Sequence, residues 1–339
     1  MSKRVWFNHW FSTVYRLMEL LKQGDETITF IGSSRTENAV YKTICNEFYT
    51  EPVDISDEKY SDWCVDFCKQ HQIDVFIPRR GRVAICHNLY KFKDIGVKVM
   101  INDNAELLDM LESKIGTAHY FKKNNICAVP EMYIVNTKDE FEIAYNKIKE
   151  SNPNDRVCIK YNNDEGAVSF RVIDNVVETI KSLRTGQGLK LSYNTIISML
   201  SEKEKFDDLI VMPYLNGPEF SVDSLMTHKG FIGITRSKVG SRGTEVYYDE
   251  KLYEISKKFA ELSGLKMPYN LQVRFHNDVM YLLEVNTRMA GGTHKSCLTG
   301  INIPYLAYCE LLDIDFDLPN IKEVKRLLVS EIETPIILI

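Results

Sequence analysis

Residues 282 to 294 read LLEVNTRMAGGTH. On a strand, side chains alternate between faces, so Glu284, Asn286 and Arg288 share one face and Leu283, Val285 and Thr287 the other. A carboxylate and an amide offer oxygen to a hard cation. A guanidinium cannot bind a metal, but it neutralises phosphoryl oxygens as charge builds on a transferred group. Just upstream, LQVRF and VMYLLEVN flank HND, a hairpin pattern with a three-residue loop. That loop sets Phe275 opposite Val279, and so Gln272 opposite Leu282 and Asn270 opposite Glu284, making Gln272 and Glu284 diagonal neighbours. Gln272, Glu284 and Asn286 then form an oxygen set suited to Mg²⁺, with water and phosphate completing the shell. An exposed polar strand face is the plainer alternative, and Met280 and Leu282 on the same side speak against it.

The elements that must position these groups read as follows. The first hundred residues alternate apolar runs with helical patterns: RVWFN, VYRLMELLKQG, TITFIG, a helix around 37 to 48, YSDWCVDFCKQH, IDVFIP and VKVMIN. This predicts βαβ units and a Rossmann-like parallel sheet. Ligands bind beyond the carboxyl ends of such strands. Asn8 and His9 stand there, with Gly32-Ser33-Ser34-Arg35 and Arg79-Arg80-Gly81-Arg82. Arg35 and Arg80 are candidates for an anionic substrate, against the plainer reading of solvated loop charge. No G-x-G-x-x-G follows the first two strands, which disfavours a dinucleotide oxidoreductase.

Residues 104 to 124 have helical spacing, and VPEMYIV, RVCIK, VSFRVI, LIVMPY, EFSVDSL and FIGITR read as strands. Between them lies a polar helical region from 175 to 206. YEISKKFAELSG is a helix stopped by Gly264, and IPYLAYCELL is a second. The closing TPIILI suits an edge strand, a core strand or a contact in a homodimer.

Composition bounds the rest. With 339 residues, 44% hydrophobic and 26% charged, the chain has material for two or three domains. A formal charge of −5 argues against nucleic acid as a partner. The eight cysteines lack paired zinc-type spacing and sit mostly in apolar runs, as buried free thiols do. That predicts a reducing, cytoplasmic compartment, and no run approaches the ~20 apolar residues of a membrane span.

Taken in order, Lys114, Lys160 at the end of RVCIK, the VMPYLNGPEF segment and the LQVRF…LLEVNTR hairpin resemble the ATP-grasp superfamily, particularly the carbamoyl phosphate synthase large subunit and related carboxylate-amine ligases. The resemblance spans essentially the whole chain, and its most specific part is Gln272 placed twelve residues before Glu284 in E-x-N-x-R. It implies ATP contacts from Lys114 and Lys160, with Gly166 in the phosphate loop. Backbone groups of Pro213 and Leu215 would meet adenine, and Glu219 would hold the ribose. Gln272, Glu284 and Asn286 would bind Mg²⁺, with Mn²⁺ as a substitute, while Arg288 would stabilise the transferring phosphoryl group. NNDEGAVS is poorer in glycine than the usual phosphate loop, and Met212 stands where a glutamate is common.

The expected fold class is α/β, with α+β character in the C-terminal lobe. A Rossmann-like domain spans 1–102, a linking helix and small lid 103–208, and a C-terminal lobe with the metal site 209–339. The implied activity is an ATP- and Mg²⁺-dependent, ADP-forming ligase that activates a small carboxylate as an acyl phosphate and joins it to an amine. Its expected partners are small anionic molecules, with Arg236 and His294 as further substrate candidates. The rival is a nucleotide-binding regulatory or scaffold protein on the same fold.

Overall fold

The computed structural model describes residues 2–162, 168–174, 188–240 and 242–338. The chain divides into two compact units. The first holds Met1–Leu111, Glu219–Gln272 and Val285–Ile339; the second holds Glu112–Pro218 and Val273–Glu284. Most of 1–102 and of 209–339, separate domains in the sequence reading, therefore lie in one unit.

The first unit opens with a parallel sheet of β1 (Arg4–Asn8), β2 (Thr29–Ser34), β3 (Glu47–Thr50), β4 (Val75–Ile77) and β5 (Lys98–Val99), ordered β3-β2-β1-β4-β5. Its central strands β1 and β2 are buried along nearly their whole length because helices cover the sheet. Helix Val14–Gly24 buries Val14, Leu17, Met18 and Leu21, the i, i+3, i+4, i+7 stripe of an amphipathic helix. Helix Asp57–Gln70 starts where Ser56 accepts the Lys59 N–H and buries Tyr60, Cys64, Phe67 and Cys68.

The helix expected around 37 to 48 is instead a 3₁₀ turn, Val40–Ile44, followed by β3. Asn46 explains the difference. Its N–H donates to the Phe30 carbonyl and its side-chain oxygen accepts from the Phe30 N–H, both at 2.8 Å, so the chain is captured by the edge of β2.

The first unit also contains β11 (Glu219–Thr227), β12 (Gly230–Val239), β13 (Gly243–Tyr247) and β16 (Leu327–Val329). They belong to a sheet ordered β15-β14-β11-β12-β13-β16, where β14 is Tyr269–His276 and β15 Val279–Asn286. Helix Glu250–Ser263 is capped by Asp249 and ends at Gly264 with φ of 69°. TPIILI forms no strand within the described residues, and Ile336, Ile337 and Leu338 are exposed.

Strands β14 and β15 run from the first unit into the second, and their connection differs from the sequence reading. The loop is Asn277-Asp278 alone, with φ of 48° and 60°, the two-residue type I′ turn that suits right-twisted strands. His276, read as loop, is the last residue of β14. The turn is one residue shorter than HND. Regular pairing from this turn sets Gln272 across from Leu283, so placing Gln272 and Glu284 on one face now rests on the resemblance rather than on the ladder.

The second unit is built on β6 (Tyr133–Val135), β7 (Val157–Tyr161), β8 (Arg171–Ile173), β9 (Lys190–Leu191) and β10 (Leu209–Pro213), ordered β6-β10-β7-β8-β9. Helices Lys138–Ser151 and Tyr193–Leu200 pack on one face through Phe141, Ala144, Ile148, Ile196 and Leu200. A capping box of Thr137 and Glu140 starts the longer one. The other face carries Cys158, Val172, Ile210 and Met212, packed with Leu215, Ile115, Tyr281 and Leu283.

Candidate active site

In the second unit, Lys160 follows Cys158 by two residues on β7 and so shares its face, with Ile210 of β10 as its register partner. Burial pushes its amine below the ordinary 10.5, as does Arg274; the charge of Glu284 pulls the other way without restoring it. Lys160 is thus a partly buried cation that feels the charge of Glu284. Lys114 opens helix Lys114–Lys123, where Ser113 caps the Gly116 N–H. Its Nζ donates to the Asn162 carbonyl at 2.8 Å, tying it to the end of β7. Gly166 lies outside the described residues.

The Leu215 carbonyl accepts from Arg274 Nη1 at 3.2 Å, and the Pro213 carbonyl faces Cys158 Sγ at 3.8 Å. Met212, at the position where a glutamate is common, is buried in the layer with Leu215, Ile210, Tyr281 and Leu283. That layer is apolar and suits the face of a planar ring. The Tyr214–Pro218 connection is clamped to β14: the Gly217 N–H donates to the Phe275 carbonyl at 3.0 Å, and the Phe275 N–H to the Pro218 carbonyl at 3.1 Å.

In the first unit, Arg288 lies with its guanidinium 5.3 Å from the centre of the Phe11 ring, and Arg79 lies 5.4 Å from the same ring. Asn286 is the last residue of β15. Glu219 faces Lys238 at 3.5 Å. The same unit holds a charged centre that the sequence reading missed. Asp223, on β11, is fully buried and accepts five hydrogen bonds. Arg236 contributes Nε at 2.6 Å and Nη2 at 3.3 Å, Asn270 Nδ2 at 2.8 Å, Thr293 Oγ1 at 2.9 Å and Ser296 Oγ at 2.5 Å. Burial pushes the Asp223 carboxyl up, but Arg236 and the hydroxyl donors outweigh it and hold the group below its ordinary 3.8. Thr293 Oγ1 also accepts the Ala290 N–H at 3.0 Å, so this carboxylate anchors the loop that follows Arg288. Gly292 permits the arrangement, since a Cβ there would sit 2.3 Å from Arg236 Nη1.

The substrate candidates from the sequence fare differently. Arg236 is held by Asp223, and His294 bonds the Gly291 carbonyl and Glu331, each at 2.9 Å. Arg80 is bound to buried Glu51 at 3.1 Å and to the Pro52 carbonyl, with its guanidinium 3.9 Å from the Tyr60 ring centre. Ser33 and Tyr60 complete the Glu51 shell, so Arg80 belongs to a buried polar knot rather than to an open anion site. Arg35 remains exposed, and its backbone N–H donates to His9 Nδ1 at 3.3 Å. Burial holds the His9 imidazole below its ordinary value, Glu51 pulls it up, and Arg35, Arg79 and Arg80 push it further down. No three His, Cys, Asp or Glu side chains come together as a metal cluster among the described residues.

Residues 205–335 match the family model described as ATP-grasp in the biosynthetic pathway with Ter operon. No curated protein sequence matches the chain. Its fold matches the biotin carboxylase–ATP analogue complex of Campylobacter jejuni with a TM-score of 0.65 and 15% identity, over 95% of this chain and 73% of that one. It also matches the L-amino acid ligase of Bacillus licheniformis, with a TM-score of 0.64, 12% identity and coverage of 91% and 74%. The biotin carboxylase domain of the Hydrogenobacter thermophilus 2-oxoglutarate carboxylase, solved with MgADP and bicarbonate, matches with a TM-score of 0.61, 15% identity and coverage of 92% and 70%. The chain has the ATP-grasp fold.

On this fold, the motif residues were singled out in the sequence by their types and order. The contacts of Asp223 and Asn270 were not, since they join residues far apart in sequence, Asp223 to Arg236, Thr293 and Ser296 and Asn270 to Asp223. The one signal available was a carboxylate in a strand whose neighbours are all buried.

Proposed function

We propose that the chain is an ATP-dependent, ADP-forming ligase that activates a small carboxylate and joins it to an amine. The observation that carries the reading is the partly buried Lys160 that feels the charge of Glu284, on a fold whose solved neighbours were captured with adenine nucleotides. A partly buried lysine with a lowered pKa suits a polyphosphate site, and a nucleotide-binding scaffold has little need for Gln272, Glu284, Asn286 and Arg288 as well.

Gln272, Glu284 and Asn286 are the residues that would hold Mg²⁺. Their chemistry fits: one carboxylate and two amide oxygens are hard donors, with no thiolate or imidazole among them. When bound, the ion neutralises phosphate charge on ATP. The protein's own groups do the rest. Lys114 and Lys160 bind phosphate oxygens, the apolar layer around Met212 and Leu215 receives the base, and Glu219 accepts from the ribose hydroxyls. The substrate carboxylate oxygen bonds to the γ-phosphorus as the bond to the ADP oxygen breaks, giving an acyl phosphate. Arg288 stabilises charge on the phosphoryl oxygens in that step and again when the amine nitrogen, losing a proton, displaces phosphate. No protein nucleophile is required. The carboxylate and amine partners are small molecules, and Arg35 on the first unit's carboxyl-end loops favours an anionic one.

The test is ADP and phosphate release from Mg²⁺-ATP against pools of carboxylates, with and without amines. Release that requires both partners is expected, and Glu284→Ala should abolish it. ADP binding without release from any pool, or full turnover by Glu284→Ala, would overturn the ligase.

A further inference from the structure

The buried charge of Asp223 reaches Gln272 through one residue. An ionised carboxylate can only accept hydrogen bonds, so Asn270 must turn its Nδ2 toward Asp223, as it does at 2.8 Å. That fixes the Asn270 amide, leaving its Oδ1 on the other side. Gln272 Nε2 donates to this Oδ1 at 3.0 Å. Gln272 has then committed its nitrogen, and its Oε1 is turned away from Asn270. An amide is otherwise indifferent to which end it presents, and only the oxygen binds a cation. Arg236, Thr293 and Ser296 hold the remaining positions around Asp223, so the chain of orientation cannot relax by a flip of Asn270.

We infer that Asp223 and Asn270 are positioning residues that set the Gln272 amide with its oxygen toward the metal. The inference rests on the reading of Gln272 as a Mg²⁺ ligand. It makes Asn270 an outer-shell partner of the kind whose loss costs roughly 10- to 100-fold in metal affinity. It also explains why a glutamine works at this position: a carboxylate at 272 would face the Asn270 oxygen without a proton to offer.

The experiment measures Mn²⁺ binding to the full-length protein with saturating ADP by electron paramagnetic resonance, and ADP binding without metal by calorimetry. Asn270→Ala should weaken Mn²⁺ about tenfold or more, with metal-free ADP affinity unchanged and cooperative unfolding retained. Adding Gln272→Glu to Asn270→Ala should restore Mn²⁺ affinity, because both ends of a carboxylate are oxygen. In the native background, Gln272→Glu should bind Mn²⁺ no more tightly than glutamine despite its added charge, a readout that does not depend on Asn270→Ala folding. A folded Asn270→Ala with native Mn²⁺ affinity, or a tighter single Gln272→Glu, would overturn the relay. Gln272→Ala separates the two ideas: native Mn²⁺ affinity in that variant removes Gln272 from the metal site and the relay with it, whereas weakened affinity there beside an unaffected Asn270→Ala overturns the relay alone.

Discussion

Lys160 makes the ligand linkage measurable at the scale of one residue. In the free protein its pKa lies below 10.5, because burial outweighs the pull of Glu284. Phosphate oxygens would favour the charged amine and raise that pKa on binding, so nucleotide binding takes up a proton. The sign follows: ADP affinity is full while free Lys160 is protonated, and it falls as pH rises above the lowered pKa of the free amine. Calorimetry of ADP binding as pH is raised toward 10.5 should show that fall in the native protein and a flatter profile in Lys160→Arg, whose guanidinium stays charged. Asp223 gives a second residue-scale outcome. Its folded pKa is depressed, so its stabilisation is present above the ordinary carboxylate value of 3.8 and is lost as pH falls through the lower folded value. Asp223→Asn leaves buried Arg236 without its counter-charge and should cost about 3–5 kcal/mol in urea denaturation at neutral pH.

Among the elements, the Tyr214–Pro218 connection is the tightest contact near the candidate base site. A Cβ on Gly217 would lie 2.3 Å from the Phe275 carbonyl oxygen and 2.9 Å from its carbon, backbone that has no rotamer to give way. Gly217→Ala should therefore cost about 1–3 kcal/mol and weaken ADP binding along with it, measured by thermal unfolding with and without ADP. The same scale shows where sequence reading succeeds. RVWFN, LIVMPY, EFSVDSL and the helix stopped by Gly264 were legible because burial pattern and turn residue agree. Residues 37 to 48 have helical spacing yet join a sheet, because Asn46 finds both hydrogen-bonding groups of Phe30, a long-range pairing that local pattern does not encode. The hairpin was recognised, but its loop was read one residue too long because HND reads equally as three loop residues or as a strand end followed by Asn-Asp. Of the candidate site, the motif residues stood out by type and order, whereas the contacts of Asp223, Phe11 and Asn270 were hidden because they join Asp223 to Thr293, Phe11 to Arg288 and Asn270 to Asp223, pairs remote in sequence.

For the whole molecule, all eight cysteines are free and six are buried, and among the described residues no helix is long and apolar enough to cross a membrane. Burial pushes Cys86 up to about 11 and Cys45, Cys127, Cys158 and Cys297 up to about 12. At pH 8 a thiol reagent should therefore modify the native protein slowly and all eight groups rapidly in urea, with early single-site reaction as the contrary result. Domain integrity gives a second whole-molecule outcome. The buried face of helix Val14–Gly24 shares one core with Ile303, Leu306, Ala307 and Cys309, and Asn302 Nδ2 donates to the Leu20 carbonyl at 2.6 Å. Residues 1–111 expressed alone should consequently lack a cooperative thermal transition, despite containing a complete five-stranded sheet.

That shared core also sets a timetable for biosynthesis. Residues 112–218 leave the ribosome as an uninterrupted stretch carrying their own sheet and helices, while the segment made before them still waits for partners near residue 303. The earlier of these two segments is thus the later to be completed, and its helix Val14–Gly24 is the surface a nascent-chain chaperone would meet during the interval.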